Sequence, residues 1–270
     1  MLSSELKEQF SRALAVSRAL RLEIREGDLI VFSRGAEPPA FIAYLASLHA
    51  GLNVSIASTT EASLHILPYS ERSRVLVFSS AQKDNRAVSA AITASLLGSQ
   101  AVLVAPPQPQ ALEERLEARG VERVKLPSSA TLMTSSLLAI RSAPKLMGFR
   151  EARVRGEIEA LEDALEWAWG ELQGLKRRDY DLIAYSPSTR PGAYYYREAG
   201  KGEPVPIEAI PALSEGAALA LYSSVEEGEY REIMISPRKA EAEFLPINAD
   251  PVMAAFYSVL YASLLSGKVI

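Results

Sequence analysis

The apolar positions along this chain change rhythm several times, and each change marks an element. Over residues 4–25, Leu6, Phe10 and Leu14 recur every four positions. One such stripe predicts an amphipathic helix. Residues 28–32 (Asp-Leu-Ile-Val-Phe) then form a short unbroken apolar run, and the type returns at 53–57, 74–78 and 100–104. Runs of this length predict strands buried on both faces, as in a parallel sheet. Helical stretches at 41–50, 61–67 and 86–97 lie between them. Gly51 and Gly98 stand where a helix ends in glycine. A weaker strand is expected at 122–126, closed by Pro127. Strands alternating with helices specify βαβ units, hence a doubly wound parallel sheet.

Further on, Leu161, Leu165, Ala168, Leu172 and Leu175 keep a seven-residue rhythm, with Glu and Arg opposite. Such a stripe packs two halves of a chain together or joins two subunits. A second series of strands is expected at 181–185, 219–222, 232–235 and 243–245, with shorter connections. The last helix has Asp250 as N-cap, Pro251 in its first turn and Gly267 past its end. It is apolar nearly all round, so it should be buried, and it is too short to span a bilayer. The expected fold class is α/β: two doubly wound parallel-sheet halves, each three-layered α-β-α, the second reduced. The expected domains are 1–150 with the N-terminal helix, a linking helix over 151–178, and a shortened second domain over 179–270. The halves look like a diverged duplication.

Composition narrows the function classes. The 270 residues are 48% apolar and 23% charged, as in ordinary globular proteins. A net charge of −4 with no basic block argues against a nucleic-acid partner. There is no cysteine, which excludes disulfides and thiolate metal sites. His49 and His65 are too few for a histidine zinc site, and both read as packed helix positions. Glu5 and Lys7 stand where a signal peptide needs an apolar core. No apolar run reaches the roughly 18 residues of a membrane span. A cytoplasmic protein without metal, cofactor or membrane contact is expected. The excess of arginine over lysine and the missing cysteine would suit a thermophile.

Ligands of an open α/β sheet bind beyond the carboxyl ends of its strands, which selects a few loops. In the first, residues 33–39, Arg34 could face an anion and Gly35 could allow close backbone approach. An ordinary strand-to-helix turn reads the same way. The second, residues 79–85, runs into a helix N-terminus whose free N–H groups attract anions. Ser79, Ser80, Gln82, Lys83 and Asn85 would suit a phosphate there. Asp84 would repel one, and Asp84 or Asn85 equally reads as the helix cap. In a third region, 198–215, Glu198 beside Lys201 is either a base with a tuned pKa or a surface ion pair. Tyr194, Tyr195 and Tyr196 read as packing or interface.

At these loops the sequence resembles the SIS (sugar isomerase) family of phosphosugar-binding proteins. Residues 28–106 follow that family's order of strands, loops and helices, including the helix start at Thr60-Glu61 and the helix end at Leu97-Gly98. The two-half layout looks like that of the archaeal bifunctional phosphoglucose/phosphomannose isomerases. The family's S-x-S-G-x-T phosphate loop is matched by Ser79-Ser-Ala-Gln-Lys-Asp84, where the first Ser alone stands. Its G-x-G-x-S loop is matched by Ser33-Arg-Gly-Ala-Glu37, with the second glycine kept as Gly35. The isomerases' E-N-x-K and P-E-x-x-H-N are matched by Glu198-Ala-Gly-Lys201 and by residues 211–216, where Glu215 replaces the histidine. The resemblance implies a homodimer with its ligand cleft near the interface and a sugar phosphate as ligand. It also implies Glu198 as the base of aldose–ketose isomerisation, with Lys201 beside it and Glu215 in the ring-opening role. Two functions therefore stand open: a phosphosugar isomerase, or a non-catalytic SIS protein that binds a sugar derivative as a sensor or regulator. A nucleotide-binding Rossmann enzyme is disfavoured, because no G-x-G-x-x-G follows the first strand.

Overall fold

A computed structural model describes residues 2–176, 179–236 and 240–270. The chain forms two compact units, Arg12–Met147 and, together with the chain up to Ser11, Gly148–Ile270. They are called the N-terminal and C-terminal units below. Helix α1 (Ser4–Ala19) contributes residues to both. It ends six residues short of the expected 25, where Leu20, Leu22 and Ile24 switch to every second position and alternate with exposed Arg21, Glu23 and Arg25. That alternation belongs to extended chain.

The N-terminal unit holds strands β1 (Leu29–Phe32), β2 (Ser55–Ser58), β3 (Arg74–Phe78), β4 (Gln100–Ala105) and β5 (Glu122–Lys125). They pair in parallel in the order β2-β1-β3-β4-β5. The helices are α2 (Glu37–His49), α3 (Thr59–Glu61, continued by a π-helical turn Ala62–Ile66), α4 (Asn85–Leu96), α5 (Gln110–Ala118) and α6 (Thr131–Arg141). Leu29, Val31, Val75, Val77 and Leu103 form one face of the sheet and pack on Ala87, Val88 and Ala91 of α4. Helices α2 and α6 pack together, and α2 also covers β1 and β3. Every residue of β3 is buried, which is why its run carries no alternation.

The C-terminal unit holds α7 (Phe149–Glu159), α8 (Leu161–Glu171), β6 (Leu182–Tyr185), α9 (Arg190–Glu198), β7 (Glu203–Pro206), β8 (Ala217–Ser223), α10 (Glu227–Ile235), β9 (Glu241–Ile247) and α11 (Pro251–Ser266). Its sheet is parallel throughout, in the order β7-β6-β8-β9. This is the first sheet's order without its fifth strand. Leu161, Leu165, Ala168 and Leu172 are fully buried, and α8 packs on α11 within this unit. Helix α11 is buried from Val252 to Ser266, and Gly192 of α9 lets its backbone approach closely. A Cβ at Gly192 would lie 2.3 Å from the Ser258 carbonyl oxygen.

Two expectations need correction here. Residues 232–235 are the last turns of α10, not a strand. A four-residue apolar run cannot distinguish the two by itself. Strand β7 was not foreseen, because Pro204 and Pro206 argue against a strand; an edge strand tolerates them. Among the described residues no helix is long and apolar enough to cross a membrane.

Candidate functional site

At the carboxyl edge of the N-terminal sheet, the loops after β1 to β4 each close on a carboxylate at the start of the helix that follows. After β1, Gly35 (φ +87°) donates its N–H to Glu37 at 2.6 Å. After β2, Ser58 donates its N–H to Glu61 at 2.8 Å. That bond and the Ser58 hydroxyl hold the Glu61 carboxyl below its ordinary range. After β3, the Ser79 hydroxyl donates to Asp84 at 2.6 Å, while the N–H groups of Arg86 and Ala87 donate to the other Asp84 oxygen at 3.1 and 3.0 Å. After β4, the Gln108 N–H donates to Glu113 at 2.7 Å. The Gln108 side chain ties two of these loops together: it donates to the carbonyls of Ala81 and Pro106 and accepts from the Asp84 N–H.

The physical consequence concerns anions. The N-terminus of α4 offers free N–H groups and the positive end of a helix dipole, the usual place for a phosphate. Asp84 already fills it. Ser79 is buried and gives its hydroxyl to that carboxylate. Ser80 is half-buried, and Arg34, Gln82, Lys83 and Asn85 are exposed. Of these, Asn85 lines a hollow of about 400 Å³ with Thr59, Thr60, Ser63 and Arg86. Arg34, Gly35, Ser79, Ser80, Gln82 and Lys83 do not line it. His49 ends α2 half-buried, whereas His65 is exposed in the π turn, not packed as expected. Among the described residues no His, Asp and Glu cluster could hold a metal ion.

At the carboxyl edge of the C-terminal unit one carboxylate serves the loops after β6 and β8, while Asp250 caps α11 after β9. The Glu226 carboxylate accepts from the Ser186 hydroxyl at 2.6 Å, the Ser188 N–H and hydroxyl at 3.2 and 2.9 Å, and the Ser223 N–H at 3.0 Å. Ser186 and Ser188 follow β6, and Ser223 ends β8. Glu226 therefore bridges the two loops that flank the point where the strand order reverses, the usual ligand crevice of such a sheet. Thr189 adds a hydroxyl bond to the Leu221 carbonyl at 2.6 Å. None of these residues was singled out from sequence. The spacing Ser223-x-x-Glu226 is a capping box, and it was the signal available.

Glu198, Lys201 and Glu215 lie at the other edge. Glu198 ends α9 and pairs with Arg197 at 2.8 Å. Lys201 sits in the turn leading into β7 and pairs with Asp179 at 3.4 Å, just before β6 begins. In the same turn the Glu203 N–H donates to the Asp181 carbonyl. Glu215 is exposed directly before β8, and next to it Gly216 lies against the Asp181 side chain. All three thus sit where the strands start. A strand of four residues spans about 13 Å, and this length separates them from Ser186 and Glu226. Tyr195 and Tyr196 are buried in packing, and Arg190 and Arg197 stack on Tyr194.

No family model matches the chain, and no curated protein matches its sequence. Solved structures do match over nearly its whole length. Glucosamine-6-phosphate deaminase of Thermotoga maritima superposes with a TM-score of 0.61 at 12% identity, over 97% of this chain and 90% of that one. Tagatose-6-phosphate ketose/aldose isomerase of Escherichia coli gives 0.60 at 13%, over 97% and 87%. A candidate sugar-binding protein of Salmonella typhimurium LT2 gives 0.59 at 12%, over 98% of both chains. At these identities the likeness is one of fold. The chain has the two-sheet α/β fold of the phosphosugar isomerases, as the SIS resemblance implied.

Proposed function

We propose that this chain is a non-isomerising protein of the sugar-isomerase fold that binds a sugar derivative without a phosphate cradle. One observation carries this reading: Asp84 and Glu226 take up the anion-attracting donors at the carboxyl edges of both sheets. A phosphate brought there would meet a carboxylate, and like charges at contact repel strongly. The acid–base side agrees. Aldose–ketose isomerisation needs a base against the sugar carbons, but Glu198, Lys201 and Glu215 occupy the amino edge of their sheet. The narrower likeness to the bifunctional archaeal isomerases assigned those roles and adds nothing to this reading. Sugar binding itself rests on the structural neighbours, whose names include two sugar-phosphate enzymes and a candidate sugar-binding protein.

The isomerase reading keeps one observation in its favour. The hollow at Thr59, Thr60, Ser63 and Arg86 offers hydroxyls and a guanidinium, groups that suit a phosphate. An aldose–ketose interconversion assay with hexose and pentose phosphates separates the two. No turnover is expected. Turnover that Glu198→Gln lowers 10²-fold or more, as removal of a general base does, would restore the isomerase. A homodimer belongs to the proposal too, now on the resemblance alone. The apolar surfaces of α8 and α11 that suggested it are buried within one chain. Sedimentation equilibrium at micromolar concentration checks it, and a monomer there would remove it.

A further inference from the structure

A hollow in the C-terminal unit has a chemistry opposite to that of a phosphate site. It lies past the carboxyl end of β9, between α7 and α8 on one side and the first turns of α11 on the other, with a volume of about 290 Å³. That volume is at the small end of small-molecule sites and takes a single sugar ring. Trp167 and Tyr257 line it with their rings 4.8 Å apart between centroids, and Asp163 and Asn248 line it as well. Trp167 is 38% exposed, although Leu161, Leu165 and Ala168 of the same helix are at 2% or less. An indole open at the rim of a hollow offers a ligand a large apolar face beside a polar N–H.

The charges of the hollow are unequal. Glu157 accepts the Tyr257 hydroxyl at 3.1 Å and pairs with Arg153 at 3.1 Å, so its charge is locally offset. Burial and the neighbouring Glu157 charge raise the Tyr257 phenol, which keeps its proton and stays a donor to Glu157. Asp163 has no ion-pair partner among the described residues, and no Lys or Arg lines the hollow. What remains for a ligand is the open face of Trp167, one uncompensated carboxylate and the side-chain N–H groups of Asn248, whose carbonyl accepts the Ser224 hydroxyl at 3.4 Å. The negative face of an aromatic ring attracts the weakly positive C–H face of a sugar ring, and attracts a cation more strongly. The carboxylate favours an ammonium group and repels phosphate.

We propose that this hollow binds the ring of an unphosphorylated amino sugar. The ring lies on the open face of Trp167 beside Tyr257, its ammonium group faces Asp163, and a hydroxyl accepts from the Asn248 amide. The proposal rests on the sugar-binding reading above and gives that reading a site and a ligand class.

The test is isothermal titration of the full chain with glucosamine, glucose and glucosamine 6-phosphate, repeated on Asp163→Asn and Trp167→Ala. Glucosamine should bind saturably, with glucose about tenfold weaker, because a hydrogen bond to a charged group is lost. Glucosamine 6-phosphate should bind more weakly than glucosamine. Asp163→Asn should bring glucosamine to the level of glucose, and Trp167→Ala should abolish both. Trp167→Phe, which keeps a ring, should retain part of the binding and covers a folding failure of the alanine variant. Glucosamine binding unmoved by Asp163→Asn and Trp167→Ala would overturn this site and leave the sugar-binding reading standing. Tighter binding of the phosphorylated sugar, unaffected by these variants, would overturn that reading as well. Absence of saturable binding by all three sugars would end both.

Discussion

The two units share one strand order but close their ligand edges differently. In the N-terminal unit the loops after β1 to β4 each hold a carboxylate of their own: Glu37, Glu61, Asp84 and Glu113 each bond the loop beside them. In the C-terminal unit a single carboxylate, Glu226, spans both loops beside the reversal point and joins β6 to β8. The first arrangement takes up anion donors loop by loop, and an uncharged amide, Gln108, ties the loops after β3 and β4. The second also latches the crevice. The two edges are thus closed in two ways, by a cap within a loop and by one acid shared between loops, and the energetic consequences of removing the acid should differ.

The largest effect is expected for Glu226→Ala. It leaves the Ser186 and Ser188 hydroxyls and two backbone N–H groups without their acceptor. Hydrogen bonds to a charged group are each worth about 1.5–3 kcal/mol, and water refills part of this half-exposed site. A net loss of about 2–4 kcal/mol is expected in chemical denaturation, with partial recovery in Glu226→Gln, which keeps one acceptor oxygen. Asp84→Ala should cost about 1 kcal/mol, the usual value of an N-cap. A cost for Asp84→Ala equal to that for Glu226→Ala would erase the distinction between capping and latching. The smallest effect belongs to Glu198→Gln. A half-exposed pair at the amino edge should change stability by less than about 0.5 kcal/mol and leave sugar binding untouched. A change in sugar affinity in that variant would bring the amino edge back into function.

Much of the fold was legible because its central strands are buried on both faces. The runs at β1, β3 and β4 have nothing polar to break them, and Gly51 and Gly98 mark helix ends with φ of +79° and +87°. The ends of α11 were equally plain, since Asp250 accepts the Val252 N–H and Gly267 adopts φ +69°. The second half was harder to read. Helix α9 begins Arg190-Pro191-Gly192, residues that ordinarily break a helix, yet Pro sits in its first turn and Gly192 serves the contact with α11. Without α9, residues 198–201 read as part of one long connection between the strands at 181–185 and 219–222. They follow a helix, which in a parallel sheet puts them at the opposite edge. The site went unread for a related reason. Asp84 could be recognised as a cap from its own neighbours, but Glu226 acts on Ser186 and Ser188, about forty positions earlier, and that bridge exists only once β6 and β8 are paired.

The central claim is that this chain's own carboxylates stand where a phosphosugar's phosphate would bind. Calorimetric titration of the wild-type chain and of Ser79→Ala with fructose 6-phosphate tests it most directly. The account predicts no saturable heat in either protein at millimolar ligand. Sub-millimolar binding to wild type that Ser79→Ala weakens tenfold or more, the cost of about one charge-assisted hydrogen bond, would show that Asp84 yields its place to phosphate and would contradict it.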